Sequence, residues 1–143
     1  KIAATATKLK QGDLLFAGSG ETKAEIGKCV AFIEDVEAYA GGDIVILRLS
    51  SANAVFLGYL CNTGQVISQK SSRGQGDAVV HIGANALSLI EVKIPSVEEQ
   101  TAIATVLSDM DAELSALEAR RDKTHALKQA MMQELLTGNT RIA

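Results

Sequence analysis

The chain has 143 residues, 47% of them apolar, and its 14 basic and 17 acidic side chains leave a net charge of -3. With a mean hydropathy of +0.14, this composition excludes a disordered polyelectrolyte and implies a folded domain with an ordinary core. No apolar run approaches the roughly 20 residues that span a bilayer, and Lys1–Lys10 lacks the apolar block and cleavage site of a secretory signal. A soluble, cytoplasmic protein without membrane contact is therefore expected.

From Gln11 to Pro95 the pattern is short apolar blocks broken by Gly, Ser, Asn and Asp: "DLLFAG", "KCVAFI", "DIVILRL", "AVFLGYL", "AVVHIG" and "LIEVKIP". Blocks rich in Val, Ile and Phe predict strands. The gaps are mostly too short for crossover helices, so the sheet should be antiparallel or mixed. "ANAVFLGYLC" fits a helix as well, and periodicity alone does not choose. Within this stretch Cys29 and Cys61 lie in apolar surroundings without metal-ligand spacing, so buried thiols are expected in place of a disulfide or a zinc site.

Charge is unevenly spread. Residues 1–95 hold 9 basic and 9 acidic side chains, whereas residues 96–143 hold 5 and 8, so all the excess acid lies in the tail. Between Asp43 and Asp77 there is no acid, while Arg48, Lys70 and Arg73 contribute three positive charges. There "QVISQKSSRGQG" reads as a glycine-bounded loop carrying Gln65, Ser68, Gln69, Lys70, Ser71, Ser72, Arg73 and Gln75. Arginine and lysine suit guanine edges and phosphate, glutamine suits adenine edges, and hydroxyl groups suit backbone oxygens. With Arg48 these residues are the candidate DNA-contacting set, although a solvated surface turn has the same composition. Lys23 and Lys28, interrupted by Glu21 and Glu25, have at most a supporting role. Gly20 and Gly27 are too far apart for a phosphate-binding loop, and Cys29 stands where that motif needs a hydroxyl.

Beyond Pro95 the text changes. Ser96 with Glu99 three residues on is a capping box, and no Gly or Pro recurs until Gly138, which suits the position just past a helix. One helix of about 40 residues, on the order of 60 Å long, is predicted. Ile103, Leu107, Met110, Leu114 and Leu117 alternate spacings of four and three, a coiled-coil seam. Arg121, Thr124 and Lys128 interrupt it before Met131 and Leu135 restore it, and Leu127 offers a shifted stripe. A body of about 95 residues is narrower than such a helix is long, so the stripe needs a partner helix. Arg120, Arg121, Lys123 and Lys128 alternate with Glu118 and Asp122, which fits a solvated, salt-bridged face. The predicted fold class is α+β: a compact, mostly β body over 1–95, then one long coiled-coil-forming helix over 96–143.

The segment "IPSVEEQTAIATVLSDMDAELSALEARRDKTHALKQAMMQELLTGNTRI" closely resembles the C-terminal conserved region of specificity subunits of type I restriction-modification systems. The shared elements are a proline ahead of Glu99 and Gln100, the "AIATVLSDMD" helix start, "LKQAMMQELLTG", and the final Arg141 and Ile142. Upstream, "GDLLFAGSG", "EIGKCVAF" and "ISQKSSRGQG" are similar to the second half of a target-recognition domain. The resemblance implies a subunit that reads one half of a split double-stranded DNA target. It implies a partial recognition domain, the C-terminal portion of a specificity subunit or a half-subunit. Its helix would pair antiparallel with another, here in a homodimer, and dock modification (methyltransferase) subunits and, through them, restriction subunits. S-adenosylmethionine, ATP and Mg would sit on those partners and no cofactor on this chain.

No enzyme signature competes. Neither cysteine forms a local nucleophile motif with His81, "GSG" at Gly18 to Gly20 lacks the spacing of a nucleophile elbow, and no acids and histidines stand at metal spacing. No catalytic or metal-binding residue is assigned. The rival expectation is a β-rich anchor whose helix serves only oligomerisation or docking, without nucleic acid.

Overall fold

The computed structural model of the chain describes residues 6–76 and 79–142. Part of the opening segment read for a signal, and Asp77 and Ala78 at the end of the basic window, lie outside those residues. Two compact units are present, Lys1–Ala104 and Thr105–Ala143, and the fold is α+β: a sheet-rich body and one long helix.

The body is assembled from short antiparallel ladders. Among the described residues, strands β1 (Thr7–Lys8), β2 (Leu14–Ala17), β3 (Ser19–Gly20), β4 (Cys29–Ala31), β5 (Tyr39–Ala40), β6 (Ile44–Leu47) and β7 (Val80–His81) form three sheets, ordered β1-β5, β4-β2-β6 and β3-β7. In the central sheet Leu14 lies opposite Ala31 and Leu47, and Phe16 opposite Cys29 and Val45. Alternation therefore puts Leu14 and Phe16 on one face, where both are buried. They meet Phe56, Leu57 and Ala104 in the main core. Burying each such large side chain stabilises by about 1.5–3 kcal/mol. A second cluster joins Ile26, Val80 and Ile82.

The structure resolves the ambiguous "AVFLGYL" as helix α1 (Ala54–Leu60), started by Asn53, whose side-chain oxygen accepts from the Phe56 N–H at 2.9 Å. It corrects two other expectations. Gly64–Ser71 is a helix, α2, and not a loop. After the four-residue helix α3 (Ala84–Leu87), "LIEVKIP" forms no ladder. The Gln69 amide holds the Glu91 backbone there, donating to its carbonyl at 2.9 Å and accepting from its N–H at 3.1 Å. A side chain thus supplies what a neighbouring strand would have supplied.

Helix α4 (Val97–Leu136) has the predicted length. The Glu99 N–H donates to Ser96 Oγ at 3.4 Å. Hydrogen bonds from its own N–H and from Ser96 hold the Glu98 carboxyl below the usual range. At the other end Gly138 adopts φ +76° and its N–H donates to the Leu135 carbonyl at 3.3 Å, a turn that a side chain would strain. The first turns of α4 belong to the body. Gln100 is buried, accepting from the Asn53 N–H at 3.0 Å and donating to the Pro95 carbonyl at 2.8 Å. No helix among the described residues is long and apolar enough to cross a membrane.

One ion pair organises the start of the body. Asp13 is 1% exposed and receives both Arg48 Nε and Nη2 at 2.9 Å, together with the Lys10 N–H at 2.8 Å. The guanidinium holds the Asp13 carboxyl below its ordinary value. A carboxyl whose folded pKa lies below its unfolded one stabilises fully above the unfolded value and loses that contribution as pH falls through the folded one. Asp13→Asn is expected to lower stability at neutral pH by about 1–3 kcal/mol and to flatten the acid limb of stability against pH. Urea titrations of parent and variant across the carboxylate range would show this, and parallel acid limbs would refute it.

Candidate nucleic-acid interface

The basic window becomes α2 and the turn after it, and the fold uses its residues unequally. Val66 and Lys70, four apart on α2, both face inward and are buried. Lys70 is 1% exposed; its ammonium donates to the Gly27 carbonyl at 2.5 Å and to the Cys61 carbonyl at 2.8 Å. Cys61 caps the C-terminal end of α1, where a cation is favoured by the unpaired carbonyls. Burial nonetheless pulls the Lys70 pKa below the ordinary lysine value, against the opposing pull of the Cys61 and Cys29 sulfurs. Gly27 closes over the stem: at its φ of +65° a Cβ would lie 2.7 Å from Lys70 Cδ. Lys70 is thus a buried cation that the fold uses internally.

The other sequence-chosen residues divide similarly. Arg48 carries 46% of its side-chain surface to solvent, but its donor fork is filled by Asp13. Gln69 is committed to Glu91. Ser71 Oγ donates to the Lys23 carbonyl at 2.6 Å, which seats the Lys23 loop against the end of α2. Ser72 Oγ donates to the Gln69 carbonyl at 2.8 Å. Arg73 is half-buried and donates to the carbonyls of Gln69 at 2.9 Å and Leu89 at 3.3 Å. Gln65, Ser68 and Gln75 are exposed. The Gln75 backbone bridges to His81 in both directions, at 2.9 and 2.7 Å.

The surface left on this side of the body is a polar patch. Lys23, exposed and tied to α2 through its carbonyl, joins Ser72, Arg73 and Gln75 there. Strand β3 pairs with β7, Ser19 opposite His81, and His81 also bridges to Gln75, which brings Ser19 and Gln75 to the same strand. His81 in turn faces Asp43, its Nδ1 3.4 Å from the carboxylate. The weight of Lys23 was hard to see in the sequence because Glu21 and Glu25 flank it. In the fold Thr22 Oγ1 donates to Glu25 Oε2 at 3.0 Å, so that acid has a local partner.

The helix-pairing residues are placed more simply. Met110, Leu114, Leu117, Leu127 and Met131 stand 50–60% exposed, an uncovered apolar stripe. Leu107 and Leu135 are half-buried. Ile103, expected at the head of the seam, packs instead against the body core beside Ala104, because the body takes the first turns of α4. Arg121 pairs with Asp122 at 2.8 Å, in keeping with a salt-bridged face.

Together these features define an α+β chain with a polar patch on its body and a long helix whose apolar stripe lies open. The chain belongs to the family described as type I restriction modification DNA specificity domain, whose family model matches residues 4–125. The matched residues take in the body and extend well into α4. A comparison with curated proteins returns no match.

Proposed function

We propose that this chain is a sequence-specificity component of a type I restriction-modification system, reading one half of a bipartite DNA target and positioning methyltransferase subunits. The observation that carries the reading is the family match over residues 4–125, which takes in the polar body and much of the helix. The open stripe on α4 supports a role in pairing. An apolar row of this length in water is costly unless another helix covers it. With one copy per chain, an antiparallel homodimer would present two half-sites as inverted copies. The chemistry would belong to the partners, which would hold S-adenosylmethionine for methyl transfer, and ATP and Mg for the restriction subunits.

On the body, the residues that support DNA contact are those the fold leaves available: Gln65, Ser68, Ser72, Arg73 and Gln75, joined by Lys23. Hydroxyl and amide groups there can reach backbone oxygens and base edges, and the two cations can meet phosphate or guanine. Replacing Lys23 and Arg73 by alanine is expected to reduce the slope of log affinity against log salt by about two, roughly one for each phosphate that is no longer neutralised. Duplex binding over a salt series measures it, and an unchanged slope would move the interface elsewhere.

The experiment that tests the whole reading is sedimentation equilibrium of the chain alone and with a purified type I modification subunit. A dimer that captures that subunit supports the proposal. A chain that stays monomeric and ignores it overturns the assembly role.

A further inference from the structure

The packing of β4 against the end of α1 sets two thiols side by side. Cys29 is buried on β4, Cys61 is half-buried one residue beyond α1, and neither is in a disulfide. Cys61 packs against the core cluster that contains Cys29. The backbone holds them there: the Cys29 N–H donates to Asn62 Oδ1 at 3.0 Å, and Asn62 Nδ2 donates back to the Cys29 carbonyl at 2.7 Å and to the Gly58 carbonyl at 2.9 Å. The Lys70 ammonium, 2.8 Å from the Cys61 carbonyl, is the nearby charge. Cys61 and Lys70 also line a cavity of about 170 Å³ whose other walls, including Phe16, Val45, Val66 and Leu87, are mainly apolar. A thiol, a resolving thiol and a cation beside a small cavity form an arrangement that core packing does not require.

We propose that Cys29 and Cys61 are a peroxide-oxidisable pair, in which Cys61 is the attacking thiolate and Cys29 the resolving thiol. In the first step Cys61 sulfur attacks one oxygen of hydrogen peroxide and the O–O bond breaks. Cys61 becomes a sulfenic acid, and the departing hydroxide takes a proton from solvent. In the second step Cys29 sulfur attacks Cys61 sulfur as its own proton passes to the leaving hydroxyl. The S–O bond breaks, water departs and an S–S bond forms. Two electrons have passed from the thiols to one peroxide.

The assignment of roles follows from the surroundings. Cys61 is the half-buried thiol and lines the cavity with Lys70, and its pKa is lowered by the neighbouring Cys29 and by the Lys70 charge, against burial. The thiolate is the reactive form. Cys29, the more deeply buried of the two thiols, is pushed up by the neighbouring Cys61 and by burial and keeps its proton for the second step. Closing to a bond of about 2.05 Å falls to side-chain rotation, because the Cys61 backbone is held at the end of α1 by its N–H to the Leu57 carbonyl at 2.9 Å. Oxidation would tie the edge strand β4 covalently to α1.

The test treats the whole chain with hydrogen peroxide, alkylates the remaining thiols and maps peptides by mass spectrometry. The expected product is lighter by two hydrogen atoms, links the Cys29 and Cys61 peptides, and reverts with dithiothreitol. In Cys29→Ser a dione probe should label a sulfenic acid on Cys61, whereas Cys61→Ser should leave Cys29 essentially unlabelled. Thiol loss in the folded chain should also be about tenfold or more faster than in the chain unfolded in urea at the same pH. Two alkylatable thiols after peroxide would overturn the proposal. So would labelling of Cys29 in preference to Cys61, or a folded chain no faster than the unfolded one.

Discussion

Lys70→Ala is expected to destabilise the body by about 3–5 kcal/mol, and any loss of DNA binding in this variant should follow its loss of fold. Two contributions act together. Truncation strands the carbonyls of Gly27 and Cys61, which the ammonium now satisfies at 2.5 and 2.8 Å, and a buried acceptor left alone costs about 1–3 kcal/mol. It also empties the space of a stem that is 1% exposed and lies against Gly27, adding a cavity penalty of the kind seen when long side chains are cut in cores. Lys70→Met refills much of the volume but not the hydrogen bonds, so it should recover part of the loss. Urea unfolding of the three proteins measures the order parent, Met, Ala. An alanine variant as stable as the parent would mean that the lysine is a surface cation after all and would restore it to the DNA-contacting set.

That lysine shows where a reading along the chain stops. Helix α4 was legible because its signals are local: the Ser96 cap, forty residues without Gly or Pro, and Gly138 at positive φ. Strands β2, β4 and β6 were legible because each is a compact apolar block flanked by turn residues. Helix α1 carried its deciding signal in Asn53, whose side chain caps it, but the apolar run that follows satisfies strand and helix alike. The window from Gln65 to Gln75 reads as a loop by composition, yet Val66 and Lys70 are four residues apart and both buried, a helical spacing hidden because one of the pair is a lysine. Charge failed for a related reason. The acid-free stretch looks electropositive in sequence, but Arg48 is neutralised by Asp13, 35 positions away. Linear charge counting records neither such pairing nor the carbonyls that a buried cation can find.

Leu114→Asp should abolish pairing through α4 while leaving the body folded. Leu114 lies in the second compact unit, 57% exposed, on the stripe with Met110, Leu117 and Met131, so its replacement removes nothing from the body core. In a two-fold pair each substitution appears twice. A carboxylate forced against apolar side chains costs roughly 2 kcal/mol or more when it finds no partner, so the two copies should weaken the dimer by at least about a thousandfold. Sedimentation equilibrium reads this directly, and unfolding of the body by circular dichroism serves as the control. Glu113→Ala, adjacent but off the stripe, should leave the association unchanged, because consecutive helical residues point about 100° apart. A Leu114→Asp chain that sediments like its parent would place the contact on another face of α4. Salt separates the two surfaces: helix pairing buries apolar area and should hold as ionic strength rises, whereas binding through Lys23 and Arg73 should weaken steeply. If both weakened in parallel, DNA binding would require the paired state, and the helix would govern recognition through the spacing it sets between the two bodies.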